Sequence, residues 1–427
     1  MLQVSVIREQ KERILEGLRK RNFKEEDLSV IDDILAADDL RKRTQISLDN
    51  LNAENNLTSK EVGDLYKQGK KAAADELKAK VSASKEEIKN LEEKLRETEI
   101  NLENLLLNVP NVPHVSVPYG KTPEENEVFK DADGELPVLP DDALPHWELA
   151  KKYNIFDLEL GVKLTGAGFP VFRGQGAKLQ RALINFFLDE AFAAGYEEIV
   201  PPLLVNEASA RGTGQLPDKE GQMYYCEKDD LYLIPTAEVP VTNILRDVII
   251  EEQDLPIKMT GYTPCFRREA GSYGSHVRGL NRVHQFDKVE IVQAVHPDKS
   301  YDVLMEMVAH VENLMQKLEL PYRILRLCGG DMGGNSALTF DFEAYSAAQK
   351  RWLEVSSVSN FETYQATRLS LRFRDKETKK TRLAHTLNGS ALALARIIAS
   401  LMENNQTPEG IKIPVALQRY MGIDMIK

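Results

Sequence analysis

Four arginines and two glutamates lie in one short stretch of an otherwise acidic chain, FRREAGSYGSHVRGLNRVHQFDKVE at 266–290. Side chains two residues apart share a face of a β-strand, so Arg267 and Glu269 are predicted to point the same way. On the same basis, one face of a second strand is predicted to carry His284, Phe286, Lys288 and Glu290. The intervening AGSYGSHVRGLNR is glycine-rich and basic, and it is predicted to be a mobile hairpin loop.

These residue types suit an anionic ligand that also carries an aromatic ring. A guanidinium fork can bind a phosphate, an aromatic side chain can stack on a base, and a carboxylate can bind an ammonium or a hydroxyl group. A cross-strand ladder of ion pairs around a core phenylalanine would show the same spacing. The spacing alone leaves both interpretations open.

Two further stretches place polar side chains close together. LIPTAEVP sets Thr236 and Glu238 two residues apart, on one face of a predicted extended segment. LEVSSVSNF holds Glu354 and Ser357 at a predicted strand-to-loop junction, where hard oxygen ligands could bind Mg²⁺. Helix capping or solvation would explain either pair equally well.

A single arginine interrupts the apolar run LNGSALALARIIASLM, which is predicted to belong to a closing helix over 390–404. Arg396 is therefore predicted to be buried, and a buried cation needs an anionic partner. That partner is either a structural carboxylate or a phosphate of a ligand. The sequence contains no GxGxxG or GxxxxGK(S/T) loop, so a bound nucleotide would need another device.

The composition argues against several classes of protein. Lys and Arg number 55 against 67 Asp and Glu, a net charge of −12 that argues against non-specific coating of nucleic acid but allows docking through a local basic patch. Cys226, Cys265 and Cys328 lie far apart without CxxC spacing, so neither a disulfide framework nor a cysteine zinc site is expected. Without a signal-like or membrane-spanning apolar segment, the chain is predicted to be soluble and cytoplasmic, with no membrane partner.

The first third of the chain is typical of two helices with facing apolar seams. The stronger seam follows steps of four and three through Leu77, Val81, Ser84, Ile88, Leu91, Leu95, Thr98, Leu102 and Leu105. A weaker seam precedes it at Leu48, Leu51, Asn55, Thr58, Val62 and Leu65. Gly69 in KQGKK is a predicted turn, so the helices should form an antiparallel coiled-coil hairpin whose second helix is roughly 42 Å long.

Lysines concentrate near this turn, at Lys67, Lys70, Lys71, Lys78 and Lys80. They either solvate the helix ends or contact phosphates. Proline-rich segments over 109–150 are interpreted as a linker. Beyond it, helices are predicted over 177–196 and 299–318, among strand-like segments without regular βαβ alternation. The predicted fold is α+β, an antiparallel sheet flanked by helices behind the helical arm, with domains 1–108, 109–150 and 151–427.

Taken together, these stretches resemble the bacterial type of the seryl-tRNA synthetase family, class II aminoacyl-tRNA ligases, over essentially the whole chain. GYEEIVPPLLV, with Pro202, resembles the first class II motif, FRREAGS with VHQFDKVE the second, and GSALALAR, ending at Arg396, the third. The TAE triplet at 236–238 and the arm before the catalytic domain resemble the seryl branch in particular. The resemblance implies that 1–108 binds tRNA and that 151–427 is catalytic.

The resemblance also implies roles for individual residues. Arg267 would grip the α-phosphate of ATP, Phe286 would stack on adenine, and Arg396 would hold the distal phosphate. The implied catalytic residues are Arg267, Glu269 and Arg396. The implied ATP-binding residues are Arg267, Arg268, Glu269, Val283, Phe286, Glu354, Val355, Ser356, Ser357 and Arg396, with Glu354 and Ser357 also carrying Mg²⁺. The implied serine-binding residues are Thr236, Ala237, Glu238, Arg267, Glu290, Asn388 and Ser390. Which of these binds the ammonium and which the hydroxyl stays open, and Arg268 receives no specific role.

The implied activity is ATP-dependent attachment of L-serine to tRNA-Ser, and to tRNA-Sec where present, through a seryl-adenylate. The resemblance also implies a homodimer, with the first motif, its long helix and Pro202 at the interface. The helix LQRALINFFLDEAF accordingly offers more apolar surface than one core would cover. Two alternatives are a class II-like ligase that loads an amino acid onto a carrier protein and a non-catalytic paralogue that acts as a binding scaffold. Carrier-loading homologues lack the arm, and a scaffold would be expected to have lost site residues.

Overall fold

The computed structural model describes residues 1–269 and 277–427. They divide into two units, Met1–Pro110 and Asn111–Lys427. The loop predicted to be mobile falls largely on 270–276, which lie outside the described residues. Among the helices of the two described ranges, none is long and apolar enough to cross a membrane.

The first unit is helical. Its helices are α1 (Val4–Glu9), α2 (Lys11–Lys20), α3 (Val30–Lys67) and α4 (Lys71–Leu107), with a 3-10 segment at Glu25–Ser29. The long helices α3 and α4 pack against each other as a hairpin. Its short turn contains Gly69 at φ +74°, in the left-handed region that glycine adopts at little cost.

Both predicted seams are confirmed. In α4, every seam residue from Leu77 to Leu105 is buried or half-buried, and nearly all residues between them are exposed. The seam residues of α3 from Leu48 to Leu65 are likewise buried or half-buried. The 37 residues of α4 extend about 55 Å at 1.5 Å per residue, because the helix continues beyond both ends of its seam.

The second unit combines sheets and shorter helices. Its helices are α5 (His146–Tyr153), α6 (Leu158–Leu164), α7 (Gly174–Ala193), α8 (Glu207–Thr213), α9 (Glu238–Asn243), α10 (Ser300–Lys317), α11 (Thr363–Leu369), α12 (Leu394–Asn404) and α13 (Val415–Met421). Its strands are β1 (Glu127–Lys130), β2 (Phe156–Asp157), β3 (Val171–Phe172), β4 (Glu197–Glu198), β5 (Leu204–Val205), β6 (Tyr225–Cys226), β7 (Leu231–Leu233), β8 (Ile249–Glu251), β9 (Ile257–Phe266), β10 (Gln285–Val295), β11 (Tyr322–Arg326), β12 (Leu338–Ser346), β13 (Arg351–Asn360), β14 (Arg372–Arg374), β15 (Thr381–Leu383), β16 (His385–Ala393), β17 (Gln406–Thr407), β18 (Gly410–Lys412) and β19 (Met425–Ile426).

An eight-stranded sheet forms the centre of this unit, in the order β1-β11-β12-β13-β16-β10-β9-β4. Its neighbouring strands are antiparallel except for the short parallel pair β4 and β9. The predicted α+β fold, with an antiparallel sheet behind a helical arm, is confirmed.

The two faces of β10 serve different purposes. Val289 and Ile291 are fully buried in a hydrophobic core that also contains residues of α7, α10 and α12. Lys288 and Glu290 point to the other face, as the alternation of side chains along a strand requires. The helices therefore support the sheet from behind, and the opposite face is left for polar side chains.

The predicted helices are largely confirmed. The prediction over 177–196 corresponds to α7, and that over 299–318 corresponds to α10. The closing helix was predicted four residues too early, because residues 390–393 complete β16 and α12 begins at Leu394. A short run of small and apolar residues suits a buried strand as well as a helix, so the pattern did not mark the junction.

Candidate active site

One cavity of about 410 Å³ lies on the polar face of the sheet. Most residues that sequence reasoning selected line it, namely Thr236, Glu238, Arg267, Glu269, Val283, Phe286, Glu290, Glu354, Val355, Ser356, Ser357, Asn388, Ser390 and Arg396. Ala237 and Arg268 do not line it. Residues up to 160 positions apart in sequence thus meet in one place.

Arg267 and Phe286 form one end of the cavity. The Arg267 guanidinium carbon lies 5.3 Å from the centre of the Phe286 ring, within the range of a cation–π contact. Its Nε donates to the Pro235 carbonyl at 3.3 Å, and its backbone N–H donates to the His284 carbonyl at 2.9 Å. A fixed cation beside an aromatic plate can bind a phosphate and a base together.

The strand alternation predicted around this end is only partly right. β9 ends at Phe266, so Arg267 and Glu269 follow the strand, and Glu269 has φ +49° in the left-handed region. His284 precedes β10 and lies outside the cavity, stacked on Phe169 with a ring separation of 5.3 Å. Glu269 still reaches the cavity, because this turn directs its carboxylate to Arg282 Nη1 at 2.9 Å.

Arg268 points away from the cavity. Its Nε donates to the Met223 carbonyl at 3.0 Å, and its guanidinium lies over the Tyr224 ring at 4.7 Å. The backbone N–H of Arg268 donates to the Gln222 carbonyl at 2.9 Å. These contacts hold the 222–224 segment against the end of β9, an arrangement that the sequence did not indicate.

A group of carboxylates occupies another part of the cavity. Glu290 is buried and pairs with Lys288 Nζ at 2.5 Å, and it also accepts from Thr236 Oγ1 at 3.3 Å. Glu238 accepts from Gln365 Nε2 at 2.7 Å. Burial, followed by the charge of Glu290, raises the pKa of Glu238 to about 7. A carboxylate with this pKa can bind a cation at neutral pH.

The local structure around Thr236 differs from the prediction. The segment is not extended, because α9 begins at Glu238 and Thr236 lies in the bend before it. The Thr236 hydroxyl accepts from the Glu238 backbone N–H at 3.2 Å, a local side-chain bond that stabilises this bend. Both side chains nevertheless line the cavity.

Glu354 and Ser357 lie within β13 and not at a strand-to-loop junction as predicted. Residues three apart in a regular strand face opposite sides. Ser356 pairs with Phe342 while Glu354 pairs with Glu343, so Val355 is an extra residue. This β-bulge changes the phase of the strand, and for that reason both Glu354 and Ser357 line the cavity.

Asp341 joins this pair from β12. Ser357 Oγ donates to Asp341 Oδ1 at 2.6 Å. Burial, with the nearby charge of Glu354, holds the pKa of Asp341 well above its usual value. In the described ranges, no group of three or more His, Cys, Asp or Glu forms a ready metal site. The available donors for a cation here are two carboxylates and one hydroxyl.

Arg396 is half-buried and not fully buried as predicted, in the first turn of α12. Its Nε donates to the Asn281 carbonyl at 3.0 Å, and its Nη1 donates to the Glu354 carbonyl at 2.7 Å. The Glu354 carboxylate lies 3.6 Å away and is half exposed. Two backbone carbonyls therefore fix the guanidinium at the cavity wall, and its anionic partner there is the half-exposed Glu354 carboxylate.

Several cavity residues were missed as site residues. They are Gln215, Leu280, Asn281, Arg282, Lys288, Leu327, Gly333, Gly334, Asn335, Ser336, Thr339, Ser359, Phe361, Ala393 and Ala395. The glycine-rich run CGGDMGGNSA at 328–337 was a signal that could have located part of this set. Asp341 and Gln365 act through other residues, and no sequence spacing marks such partners.

Comparison with known proteins places this geometry in a family. Residues 1–113 match the family described as the seryl-tRNA synthetase N-terminal domain. Residues 224–405, which include the predicted site residues, match the tRNA synthetase class II core domain (G, H, P, S and T). A serine–tRNA ligase of Salinibacter ruber is 49% identical over 427 residues, covering 100% of this chain and 99% of its own. The chain belongs to the seryl-tRNA synthetase family.

Other members of the seryl-tRNA synthetase family agree over the whole length. A serine–tRNA ligase of Chloroherpeton thalassium is 46% identical and is covered completely, as is this chain. The crystal structure of seryl-tRNA synthetase from Pyrococcus horikoshii complexed with ATP superposes with a TM-score of 0.90 at 33% identity, over 100% of this chain and 99% of the other. The family resemblance seen in the motifs is therefore confirmed for both the arm and the catalytic core.

Proposed function

We propose that this protein attaches L-serine to tRNA-Ser in two steps, formation of a seryl-adenylate from ATP and then transfer of the seryl group to the RNA. The observation that carries the proposal is the layout of the cavity. Arg267, Phe286 and Arg396 supply cations and an aromatic plate, and Glu238 and Glu290 supply carboxylates in the same space. A nucleotide and a small ammonium-bearing substrate are the ligands that such a cavity fits.

ATP would occupy the arginine-rich part. Phe286 would stack on adenine, and Arg267, fixed beside it, would bind the α-phosphate. Arg396 would hold the distal phosphate, since its guanidinium is oriented by two backbone carbonyls at the cavity wall. Glu269 and the backbone at Val283 would complete the nucleotide contacts.

Serine would occupy the carboxylate part, among the residues named above for it. Glu290 already has Lys288 as its cationic partner at 2.5 Å. Glu238 makes no ion pair with any residue of the described ranges. We therefore assign the serine ammonium to Glu238 and expect the hydroxyl to meet the neighbouring polar groups, Glu290 and Ser390 among them. This assignment goes beyond the sequence, from which the two roles could not be separated.

The chemistry follows from this placement. An oxygen of the serine carboxylate bonds to the α-phosphorus as the bond to the β-phosphate breaks, and pyrophosphate leaves. A ribose hydroxyl at the tRNA 3′ end then attacks the acyl carbon, loses its proton, and displaces AMP. Binding both reactants removes the entropic cost of their encounter. Cations that are already in place stabilise the charge that develops on the phosphates.

Mg²⁺ is proposed as the accompanying metal. Mg²⁺ in phosphate-binding sites is usually held by one or two carboxylates together with substrate phosphates and waters. Glu354 and Ser357 face the cavity together, and Asp341 lies behind Ser357, so the donor chemistry fits. Glu354 and Ser357 would be the ligands, and Asp341 would orient the Ser357 hydroxyl. When bound, the ion would neutralise charge on the phosphates.

The helical hairpin is proposed to bind the RNA. We assign 1–108 to tRNA binding, 109–150 to a linker and entry segment, and 151–427 to catalysis. The lysines near the turn, Lys67, Lys70, Lys71, Lys78 and Lys80 (the tip lysines), are all exposed, so phosphates can reach them. The resemblance further suggests tRNA-Sec as a second substrate where an organism has it, and a cytoplasmic location.

A homodimer is also proposed, and it rests on the segment that resembles the first motif more than on the apolar surface of α7. Most apolar residues of α7 are buried within one chain, Phe186 and Phe187 among them, so this helix offers less apolar surface to a partner than the sequence suggested. The segment that resembles the first motif does expose apolar side chains. Val200 is 88% exposed, and Phe192 just before the segment is 71% exposed. Pro202 is itself exposed and lies between the exposed Val200 and Leu203, where a second copy would cover them.

Pyrophosphate exchange with a panel of amino acids tests the activity. Serine should drive exchange. Alanine should be less efficient by a factor of roughly 10⁴, because its binding leaves buried polar groups of the site unpaired. Threonine should be the residual substrate. Transfer to tRNA-Ser should follow. A ligase for a carrier protein would exchange but would not charge tRNA, and a scaffold would do neither. Equal exchange with alanine would overturn the assignment to serine.

A further inference from the structure

A buried hydrogen-bond network holds Leu280 and Asn281, which border the part of the cavity where the nucleotide is proposed to bind. Leu280 and Asn281 line the cavity and carry the carbonyl that binds Arg396. Behind them lie His146, at the start of α5, and Glu403, near the end of α12, both with fully buried side chains. His146 belongs to the segment that was predicted to be a linker, and its function was not indicated by any motif.

The hydrogen bonds fix the tautomer of His146. The Leu280 backbone N–H donates to His146 Nε2 at 2.8 Å, so Nε2 carries no proton. The proton therefore sits on Nδ1, which lies 2.6 Å from Glu403 Oε1 and donates to it. The imidazole joins the Leu280 amide to a carboxylate on α12.

Glu403 is satisfied from several directions. It accepts from the His146 backbone N–H at 2.9 Å, from Gln349 Nε2 at 2.9 Å, and from the Ser346 hydroxyl. Gln349 in turn accepts from Asn281 Nδ2 at 2.8 Å. A buried carboxylate with this many donors is held in one position, so it can act as a fixed anchor.

Two side chains on one face of α12 hold Leu280 and Asn281, one of them directly and the other through His146. Arg396 and Glu403 are seven residues apart, two helical turns, and so point the same way. Arg396 Nε holds the Asn281 carbonyl, and Glu403 acts through His146 on Leu280. Gly279 makes the approach possible, because a Cβ there would lie 2.1 Å from His146 Nε2.

We propose that His146 is a positioning residue for the nucleotide end of the active site. It places Leu280 and Asn281 so that the Asn281 carbonyl orients Arg396 toward the distal phosphate. The inference rests on the proposed function for the identity of the nucleotide, and it concerns residues that do not themselves touch the substrate. Loss of the His146 acceptor should weaken ATP binding and leave serine binding unchanged.

Two substitutions separate the two nitrogens of the ring. In His146→Gln the side-chain amide reaches the position of Nε2 and can accept from Leu280, whereas in His146→Asn it reaches only the position of Nδ1 and can serve only Glu403. We expect His146→Asn to raise the KM for ATP about tenfold in serine-dependent exchange, with an unchanged KM for serine, as for the loss of one buried hydrogen bond. His146→Gln should recover most of the loss.

Hydrogen exchange provides a readout that does not depend on activity. The peptide over 277–283 should exchange about tenfold faster in His146→Asn than in the wild type, with peptides of α7 and α10 unchanged. His385→Asn is the matched control, since His385 bonds Ser300 Oγ at 2.8 Å and lies outside the cavity. It should move neither the KM for ATP nor exchange at 277–283.

The outcomes separate this inference from the proposed function. A wild-type KM for ATP in His146→Asn, or an equal rise in the KM for serine, overturns the positioning role. If His146→Asn does not fold, Gln349→Met, at a half-buried site, removes the bond to Asn281 and should raise the KM for ATP in the same selective way. If the wild type shows no serine-dependent exchange, the proposed function fails, and local exchange at 277–283 still decides whether His146 holds the segment.

Discussion

Lys288 and Glu290 form an ion pair of 2.5 Å on one strand, and this pair leaves Glu238 as a carboxylate without a cation in the same corner of the cavity. Glu290 has a direct cationic partner in Lys288. Glu238 accepts from the amide of Gln365 at 2.7 Å, and the charge of Glu290 acts on it more strongly than the opposite charge of Lys288. The two glutamates of this cavity therefore differ in their charged surroundings.

This difference predicts that serine binding releases a proton. Glu238 has a pKa of about 7 in the free protein, and an ammonium beside it would lower that pKa. At a pH between the pKa of Glu238 in the free protein and its lower pKa in the serine complex, binding should release close to one proton. The affinity for serine should therefore rise with pH and level off above about pH 7. Calorimetry at pH 6 in two buffers of different ionisation enthalpy measures the release. It should vanish at pH 8 and in Glu238→Gln, and release that persists in Glu238→Gln would assign the proton to another group.

The two arginines should be needed for adenylate formation but not for folding. Arg267→Ala and Arg396→Ala each remove a cation whose described hydrogen bonds go to backbone carbonyls. We expect exchange to fall by a factor of about 10² or more, with the melting temperature nearly unchanged. Arg374→Ala removes an exposed arginine paired with Glu251 and should leave exchange unchanged. Unfolding of either cavity variant would favour the structural ion-pair interpretation.

Charge placed on the exposed first-motif segment should separate the proposed dimer. Val200→Glu puts a carboxylate where a partner would bury an apolar side chain, so light scattering at micromolar concentration should show a shift from dimer to monomer. Val138→Glu is the matched control, because Val138 is 94% exposed elsewhere in the same unit. A monomeric wild-type protein at this concentration would contradict the dimer directly.

The hairpin lysines should act in transfer to tRNA and not in adenylate formation. Replacing Lys67, Lys70, Lys71, Lys78 and Lys80 by Ser should leave serine-dependent exchange near normal and weaken tRNA binding. Each lost phosphate contact should reduce the slope of log affinity against log salt by roughly 0.7 to 0.9. Lys376, Lys379 and Lys380, exposed lysines of the other unit, provide a control set whose replacement by Ser should preserve the slope. Charging at the wild-type rate by the five-lysine variant would identify the tip lysines as solvating groups.

Sequence reasoning predicted long periodic elements well, because burial repeats along them. The seam of α4 and the limits of α10 required only the spacing of apolar residues. The cavity residues were selected largely through the family resemblance, while their local geometry was often wrong. The bulge at Val355 and the helix start at Glu238 depend on partners distant in sequence, so spacing could not reveal them. His146 and Asp341 were not predicted as functional residues for the same reason.

Because the apolar seams of α3 and α4 are paired, the length of the hairpin can change independently of the rest of the protein. Because the apolar pattern repeats every seven residues, removing one heptad from each helix restores the same facing surfaces. Each such step would change the reach of the hairpin by about 10 Å and leave the turn at Gly69 intact. The length of the arm can therefore be changed in fixed steps of one heptad. Its span can be matched to an RNA of a given size without any change to the chemistry of the cavity.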